Sequence, residues 1–408
     1  MPVNLSAPQA KALLAIAGIK LGISSAGIKK VGRPDIVLIE MAEGTTTSAV
    51  YTKNAFCAAP VHVCKQHQSQ TSPRYLLINS GNANAGTGEQ GMANAKACCQ
   101  YVADVADVTA NTVLPFSTGV IGQQLVLEKF EAAIPNAYQA LLADNWFAAA
   151  HAIMTTDTIA KGVSKQFELD GKTVTVTGMA KGSGMIRPDM ATMLAYVATD
   201  AAIEQTALDA LIIKATNQSF NRITVDGDTS TNDSFVIMAT GQAGNATVTD
   251  LDSDDGQTLY TAIAEISQLL AHAIVRDGEG ATKFIEVTVQ QGVDSEECRQ
   301  VAYTIAHSPL VKTALFASDP NWGRILAAVG RSGISNFDLD KVAIHIGDVC
   351  IVDGGQPAST YTEQQGQQVM AQDEITIRVS LGRGQASDTV WTCDFSYDYV
   401  KINAEYRT

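Results

Sequence analysis

Short β-branched runs and longer amphipathic runs succeed one another along this chain without a fixed period, and that order constrains its fold more than any other feature. Strand-like runs occupy residues 35–41, 48–53, 75–79, 173–178, 193–198, 234–239, 284–290, 342–347 and 375–381. At 173–178 and 284–290 the side chains alternate with the period of two of a half-buried strand. Helix-like runs occupy 92–105, 125–143, 203–219 and 257–275. In the last of these Leu259, Ile263, Ile266, Leu270 and Ile274 recur every three or four residues, which gathers them into one apolar stripe. The mixed order predicts α+β layers, with helices packed on sheets, rather than a barrel. Polar, glycine-marked stretches at 245–257 and 354–368 predict exposed connections. A domain boundary is expected near 280–295.

Composition narrows the function classes. The 408 residues are 46% hydrophobic and only 17% charged, which suits a well-packed globular enzyme of two or three folding units and excludes a disordered chain. Lys and Arg number 28 against 42 Asp and Glu, a net charge of −14 that repels nucleic acid and anionic lipid. No stretch reaches the ~18 consecutive apolar residues of a membrane span. The amino-terminal run lacks a basic front and a cleavage site, so a cytoplasmic protein without a signal peptide is expected. Seven scattered cysteines, none in a CxxC, read as small buried hydrophobes rather than a disulfide scaffold.

The search for chemistry begins with the histidines, the usual bases at neutral pH. His62, His67, His151, His272, His307 and His345 share no HxxxH or HxxE spacing, so no metal site is expected. Residues Gly86 to Gly91 match GxGxxG, the pattern of a nucleotide-dependent dehydrogenase. Six residues, 80–85, separate it from its strand, whereas the dinucleotide turn follows the strand at once. A plain Gly/Asn-rich loop is the competing reading. Between two strand-like runs lies MAKGSGMIRPDMATML, residues 179–194, where Gly182, Gly184 and Pro188 forbid a regular helix or strand. It carries Lys181 and ends in Ala191-Thr192, a small residue before a hydroxyl. A simple hairpin connection accounts for it equally well. Asp226, Asp228 and Asp233 lie with Asn221 and Asn232 in a second polar loop whose acid spacing suggests calcium but lacks the closing glutamate of an EF-hand. Glu279 sits between two glycines in RDGEGATK, DPNWGR forms a turn at 319–324, and the chain ends on NAEYRT.

Taken jointly these pieces resemble the ornithine acetyltransferase family, also called bifunctional glutamate N-acetyltransferases. The resemblance runs through AGIKLGIS, AEGTTTSAVYTKNAFCAAPV, LINSGNANAGTG, STGVIG, MTTDT, KGSGMIRPDMATML, FNRITVDGDTSTNDS, RDGEGATK, DPNWGRI and INAEYRT, in the family's order and over essentially the whole chain. It implies a layered α/β/β/α sandwich of the aminopeptidase and ornithine-acetyltransferase kind, with a smaller C-terminal α/β domain from about 285 to 408. It implies self-cleavage between Ala191 and Thr192 into an alpha chain, 1–191, and a beta chain, 192–408, two of each assembling together. Thr192 is the implied nucleophile, and Thr118 and Gly119 the oxyanion hole. Thr155, Lys181, Thr192, Glu279, Asn403 and Thr408 are the implied substrate contacts. The implied reaction moves an acetyl group from N2-acetylornithine to glutamate, releasing ornithine and N-acetylglutamate in arginine biosynthesis. No metal or cofactor is implied, with acetyl-CoA possible as a second donor. After GMI, where members usually carry small or amide residues, this chain has Arg187 and Asp189.

The chemistry of Thr192 agrees with the resemblance. A threonine hydroxyl needs an adjacent base to attack a carbonyl. Cleavage before Thr192 frees an α-amino group of reference pKa about 7.7–8 on the same residue, which dispenses with histidine. A donor at Gly119 or Thr118, aimed at the developing oxyanion, is typically worth ~2.7–4 kcal/mol. By charge matching, Lys181 suits a substrate carboxylate and Glu279 a substrate ammonium. Two readings compete: an N-terminal-nucleophile aminopeptidase or amidase that passes the acyl group to water, and a non-enzymatic binding protein that stays intact.

Overall fold

A computed structural model describes residues 2–187 and 193–405. Two sheets lie face to face. The first has the order β1 (Ile19–Ser24), β2 (Ile36–Met41), β4 (Tyr75–Asn82) and β5 (Val113–Val120). The second has the order β3 (Thr46–Tyr51), β9 (Ser234–Ala239), β8 (Leu194–Thr199), β7 (Lys172–Lys181) and β6 (Lys161–Leu169). Both carry apolar side chains on both faces. From β2 and β4, Val37, Ile39, Leu76 and Ile78 enter the core between the sheets, where they meet Met179, Tyr196, Val236 and Met238 of the second sheet. Their strand neighbours Ile36, Leu38, Tyr75 and Leu77 point outward against the helices α2 (Gly88–Ala106) and α3 (Leu127–Gln139). Val174, Val176, Val197 and Ile237 of the second sheet face α5 (Gln205–Gln218) and α6 (Asp254–Arg276). The result is four layers in the order α/β/β/α, the α+β sandwich that near-continuous apolar strands demand.

Shorter helices complete the sandwich. α1 (Ala59–Gln68) and α4 (Trp146–Ala152) put Val61, Cys64, Trp146 and Ala149 into the central core. By length and composition α6 is apolar enough to cross a membrane. Its stripe of Leu259, Ile263, Ile266, Leu270 and Ile274 is instead buried against the second sheet, and Ser253 caps its first turn by accepting from the Gly256 N–H at 3.1 Å.

A third sheet, with its own core, has the order β13 (Gln356–Pro357), β12 (Val349–Asp353), β11 (Ala343–Ile346), β14 (Glu374–Ser380), β10 (Phe284–Gly292) and β15 (Ala386–Cys393). It packs on α7 (Ser295–Ala306), α8 (Pro309–Phe316) and α9 (Trp322–Gly330) through Val287, Val301, Ile305, Leu315 and Val329. The stretch 354–368, expected as an exposed connection, holds β13 and the start of α10 (Glu363–Met370). A reciprocal cap decides this. Thr362 Oγ1 accepts from the Gln365 N–H while the Gln365 side chain accepts from the Thr362 N–H, satisfying donors that a polar loop leaves to water. The last helix, α11 (Tyr397–Ala404), returns the chain to the sandwich.

Candidate active site

One cleft of about 280 Å³ opens where the carboxyl ends of β5 and β7 meet the loop that enters β9. Thr118, Gly119, Thr155, Lys181, Glu279 and Asn403 all line it. These are all the sequence-predicted site residues that the structure describes; Ala191, Thr192 and Thr408 lie outside the described residues, as does Asp189.

The floor is built by two parallel strands pressed together. β4 and β5 pair in parallel with Gly81 opposite Gly119, and the register shifts at that point. Gly119 has φ +135°, and a Cβ there would stand 2.3 Å from the Gly81 carbonyl carbon and 2.5 Å from the Asn82 nitrogen. Only glycine fits this left-handed, crowded position. Thr118 beside it is 9% exposed.

A buried ion network supports one wall. Lys161 Nζ lies 2.7 Å from Asp157 Oδ1 and 2.6 Å from Asp277 Oδ2, with all three side chains out of water. Asp157 also accepts from the Thr155 N–H at 3.0 Å and from the Gly182 N–H at 2.7 Å. Burial alone would raise its carboxyl, but Lys161, Lys181 and these hydrogen bonds hold it well below the usual carboxylate range. Asp277 accepts from the Thr158 N–H at 3.0 Å and from the Thr158 hydroxyl. Two segments that line the cleft thus share one charged anchor. Burial lowers the Lys181 amine, against the pull of Asp157, Asp233 and Glu279.

The opposite wall comes from distant parts of the chain. Glu279 is tied by its N–H to the Ser183 carbonyl at 2.8 Å, and its Oε2 accepts from Asn403 Nδ2 of α11 at 2.8 Å. Gly184 leaves room for that carboxylate, since a Cβ there would lie 2.4 Å from it. The polar loop before β9 serves as backbone scaffolding: Asp226 accepts from the Met185 and Ile186 N–H groups at 2.6 and 2.9 Å, and Asn232 Nδ2 donates to the Ala83 and Ser117 carbonyls at 2.6 and 2.9 Å. Asp226 holds peptide N–H groups, and among the described residues no three His, Cys, Asp or Glu side chains converge as metal ligands. The GxGxxG stretch is likewise internal structure. Thr87 Oγ1 donates to Asn84 Oδ1 and Asn84 Nδ2 donates to the Gly91 carbonyl, and a Cβ on Gly91 would meet Thr87 Oγ1 at 1.8 Å.

Asp157, Lys161, Asp226, Asn232 and Asp277 were not singled out by the sequence as parts of the site's frame. Asp157, Lys161 and Asp277 lie within or beside a block that carries a site residue, whereas Asp226 and Asn232 drew notice only as a polar loop with acid spacing suggestive of calcium. A second cavity of about 250 Å³ shares Gly119 and Thr155 with the cleft and is lined by Lys29, Lys30 and Arg33 together with Asp35 and Glu405.

Four α/β/β/α layers and a small polar cleft at the strand ends define the class, an α+β sandwich enzyme. The ArgJ family matches over residues 20–408, and the chain belongs to that family. The arginine biosynthesis bifunctional protein ArgJ of Pseudomonas syringae pv. tomato is 56% identical over 397 residues, covering 97% of this chain and 98% of its own length. The solved ArgJ structure from Bacillus halodurans is 42% identical, covers 50% of this chain and 95% of its own, and superposes with a TM-score of 0.48. Ornithine acetyltransferase from Mycobacterium tuberculosis, solved with ornithine, is 33% identical, covers 45% of this chain and 98% of its own, and gives a TM-score of 0.39.

Proposed function

We propose that this chain is an acetyltransferase of arginine biosynthesis that moves the acetyl group of N2-acetylornithine to glutamate through an acetyl ester on Thr192. The observation that supports it best is the convergence of six residues from five separate blocks on one cleft, with an ammonium at Lys181 and a carboxylate at Glu279. An amino-acid substrate presents the opposite charges, an α-carboxylate and an ammonium.

The cycle starts with self-cleavage. Thr192 Oγ attacks the Ala191 carbonyl carbon, the C–N bond breaks, and water opens the resulting ester into residues 1–191 and 192–408. In turnover Oγ attacks the acetyl carbonyl of N-acetylornithine and passes its proton to the new α-amine of Thr192. The oxyanion is held at Thr118 and Gly119, and the proton moves on to the ornithine nitrogen as it departs. Glutamate then attacks the acetyl-threonine and restores the hydroxyl. No step calls for a metal or a cofactor. Lys29, Lys30 and Arg33 in the cavity beside Gly119 offer contacts for an anionic acceptor, or for the phosphates of acetyl-CoA as a second donor.

Thr192→Ala should remain one uncut, inactive chain by intact mass and acetyl-transfer assay. A variant that still splits before residue 192, or still transfers acetyl groups, refutes the mechanism. Ornithine release that is equally fast without glutamate would instead identify an amidase that uses water.

A further inference from the structure

Lys181 carries a buried amine into the cleft with no direct partner. It is 8% exposed and lines the cleft, and among the described residues its Nζ makes no hydrogen bond or ion pair. A buried ammonium is costly unless opposite charge lies close by. Four titratable groups face it: Asp157, Lys161, Asp233 and Glu279. Lys161 is a like charge. Glu279 gives one carboxylate oxygen to Asn403. Asp233 is 2% exposed in the wall of a cavity of about 30 Å³, and its Oδ2 has no hydrogen-bond partner among the described residues, so its ionised form is disfavoured there.

The balancing charge lies behind the cleft wall. In the knot of Asp157, Lys161 and Asp277 one ammonium faces two carboxylates, at 2.7 and 2.6 Å, with all three side chains out of water. One negative charge is left over. Asp277 is engaged by the N–H and hydroxyl of Thr158. Asp157 instead accepts from the N–H of Gly182, the residue after Lys181, at 2.7 Å, and from the N–H of Thr155, which lines the cleft, at 3.0 Å. The surplus carboxylate is therefore fixed against the peptide that follows Lys181. Burial works against the Lys181 ammonium, and Asp157 is the strongest of the charges that favour it.

We propose that Asp157 is a positioning residue for substrate: it fixes the backbone beside Lys181 and Thr155, and it supplies the counter-charge that keeps Lys181 an ammonium ready for the substrate α-carboxylate. This rests on the acetyl-transfer reading above. Asp157 itself touches no substrate. An entering carboxylate meets a cation already charged and already held, so little reorganisation accompanies binding. The cleft is then polarised, with the carboxylate end at Lys181 and the ammonium end at Glu279, which Ser183 and Asn403 hold in place.

Acetyl transfer from paired donors, N-acetylornithine and its α-carboxamide, tests this. Wild type should favour the acid in kcat/KM by about 10-fold or more, the scale of a hydrogen bond to a charged group. Asp157→Asn leaves Lys161 paired one to one with Asp277, so the knot keeps no uncompensated charge. At about pH 8.5 the variant should lose most of the preference through a raised KM for the acid, and should regain it toward about pH 6.5 as Lys181 takes up its proton. Wild type should keep its preference throughout. Losses that fall equally on acid and amide, a preference lost at every pH, or one left intact or enlarged overturns the proposal, since a merely structural role gives no such split. If the variant does not fold, wild type decides: a preference that holds from about pH 6.5 to 8.5 supports a stably charged Lys181, and one that fades across that range refutes it. No acetyl transfer by wild type would sink the acetyltransferase reading itself, whereas transfer whose preference ignores Asp157 sinks only this inference.

Discussion

At the scale of single residues, the site depends on what its glycines leave out. Gly119 combines a φ of +135° with a Cβ position 2.3 Å from the backbone of the neighbouring strand, and backbone cannot move aside as a flexible side chain can. Gly119→Ala should therefore destabilise the protein by about 3 kcal/mol, the sum of left-handed strain and overpacking. Urea denaturation of the variant against wild type measures this, and an unchanged midpoint would show slack between β4 and β5. The contrast with Gly184 is instructive, because the atom it makes room for is the carboxylate of Glu279, a group proposed to meet substrate.

At the scale of elements, the cleft hangs on a charged knot rather than on regular packing. Lys161 opens β6, Asp157 sits in the loop before it, and Asp277 follows the end of α6. Lys161 pairs with both buried carboxylates, so removing it leaves uncompensated buried charge, at a cost of about 3–5 kcal/mol. Lys161→Met should lose at least that much stability in a thermal melt. A melt indistinguishable from wild type would mean that water already compensates the two carboxylates.

At the scale of the whole molecule, the second sheet explains why a cut chain should hold together. Its order β3-β9-β8-β7-β6 interleaves strands from both sides of Ala191. Two seams, β3 with β9 and β7 with β8, each align six residue pairs across the proposed pieces. Native gel filtration should show one particle where a denaturing gel shows two bands, and pieces that separate under native conditions would contradict the interleaving. Two half-buried histidines set a pH limit on the folded state. Burial takes His272 down to about 4, helped by Arg276 and opposed by Glu374; burial with Arg187, Lys312 and Arg331 does the same to His307. Unfolded histidine binds a proton near 6.5, so between about 6.5 and 4 the unfolded chain holds more protons than the folded one. The contribution of each is complete above 6.5 and is lost as pH falls toward 4, by up to about 3 kcal/mol per histidine. His272→Leu should flatten part of that slope in chemical denaturation run at several pH values; an unaltered slope would assign the loss to other groups.

Every strand-like run read from the sequence is a strand, and the long helices lie where their periodicity put them, because both periods are local properties of the chain. β5 escaped because Pro115 and Gly119 interrupt its pattern, which an edge strand tolerates. β6, with its lysines, glutamine and glutamate, escaped because its pairing with β7 rather than its composition makes it a strand. Six residues that line the cleft were named through family blocks, each a local signature. Their frame was not: Lys161 and Asp277 are 116 positions apart and meet only because α6 packs on the second sheet. By itself the sequence determined the alternation of elements, the layer type and the chemistry available at each position, since these depend on neighbours in the chain. Tertiary structure alone decided which carboxylates are buried, which are paired and which, like Asp233, are left facing a cavity, because desolvation and pairing depend on groups that folding brings from far away.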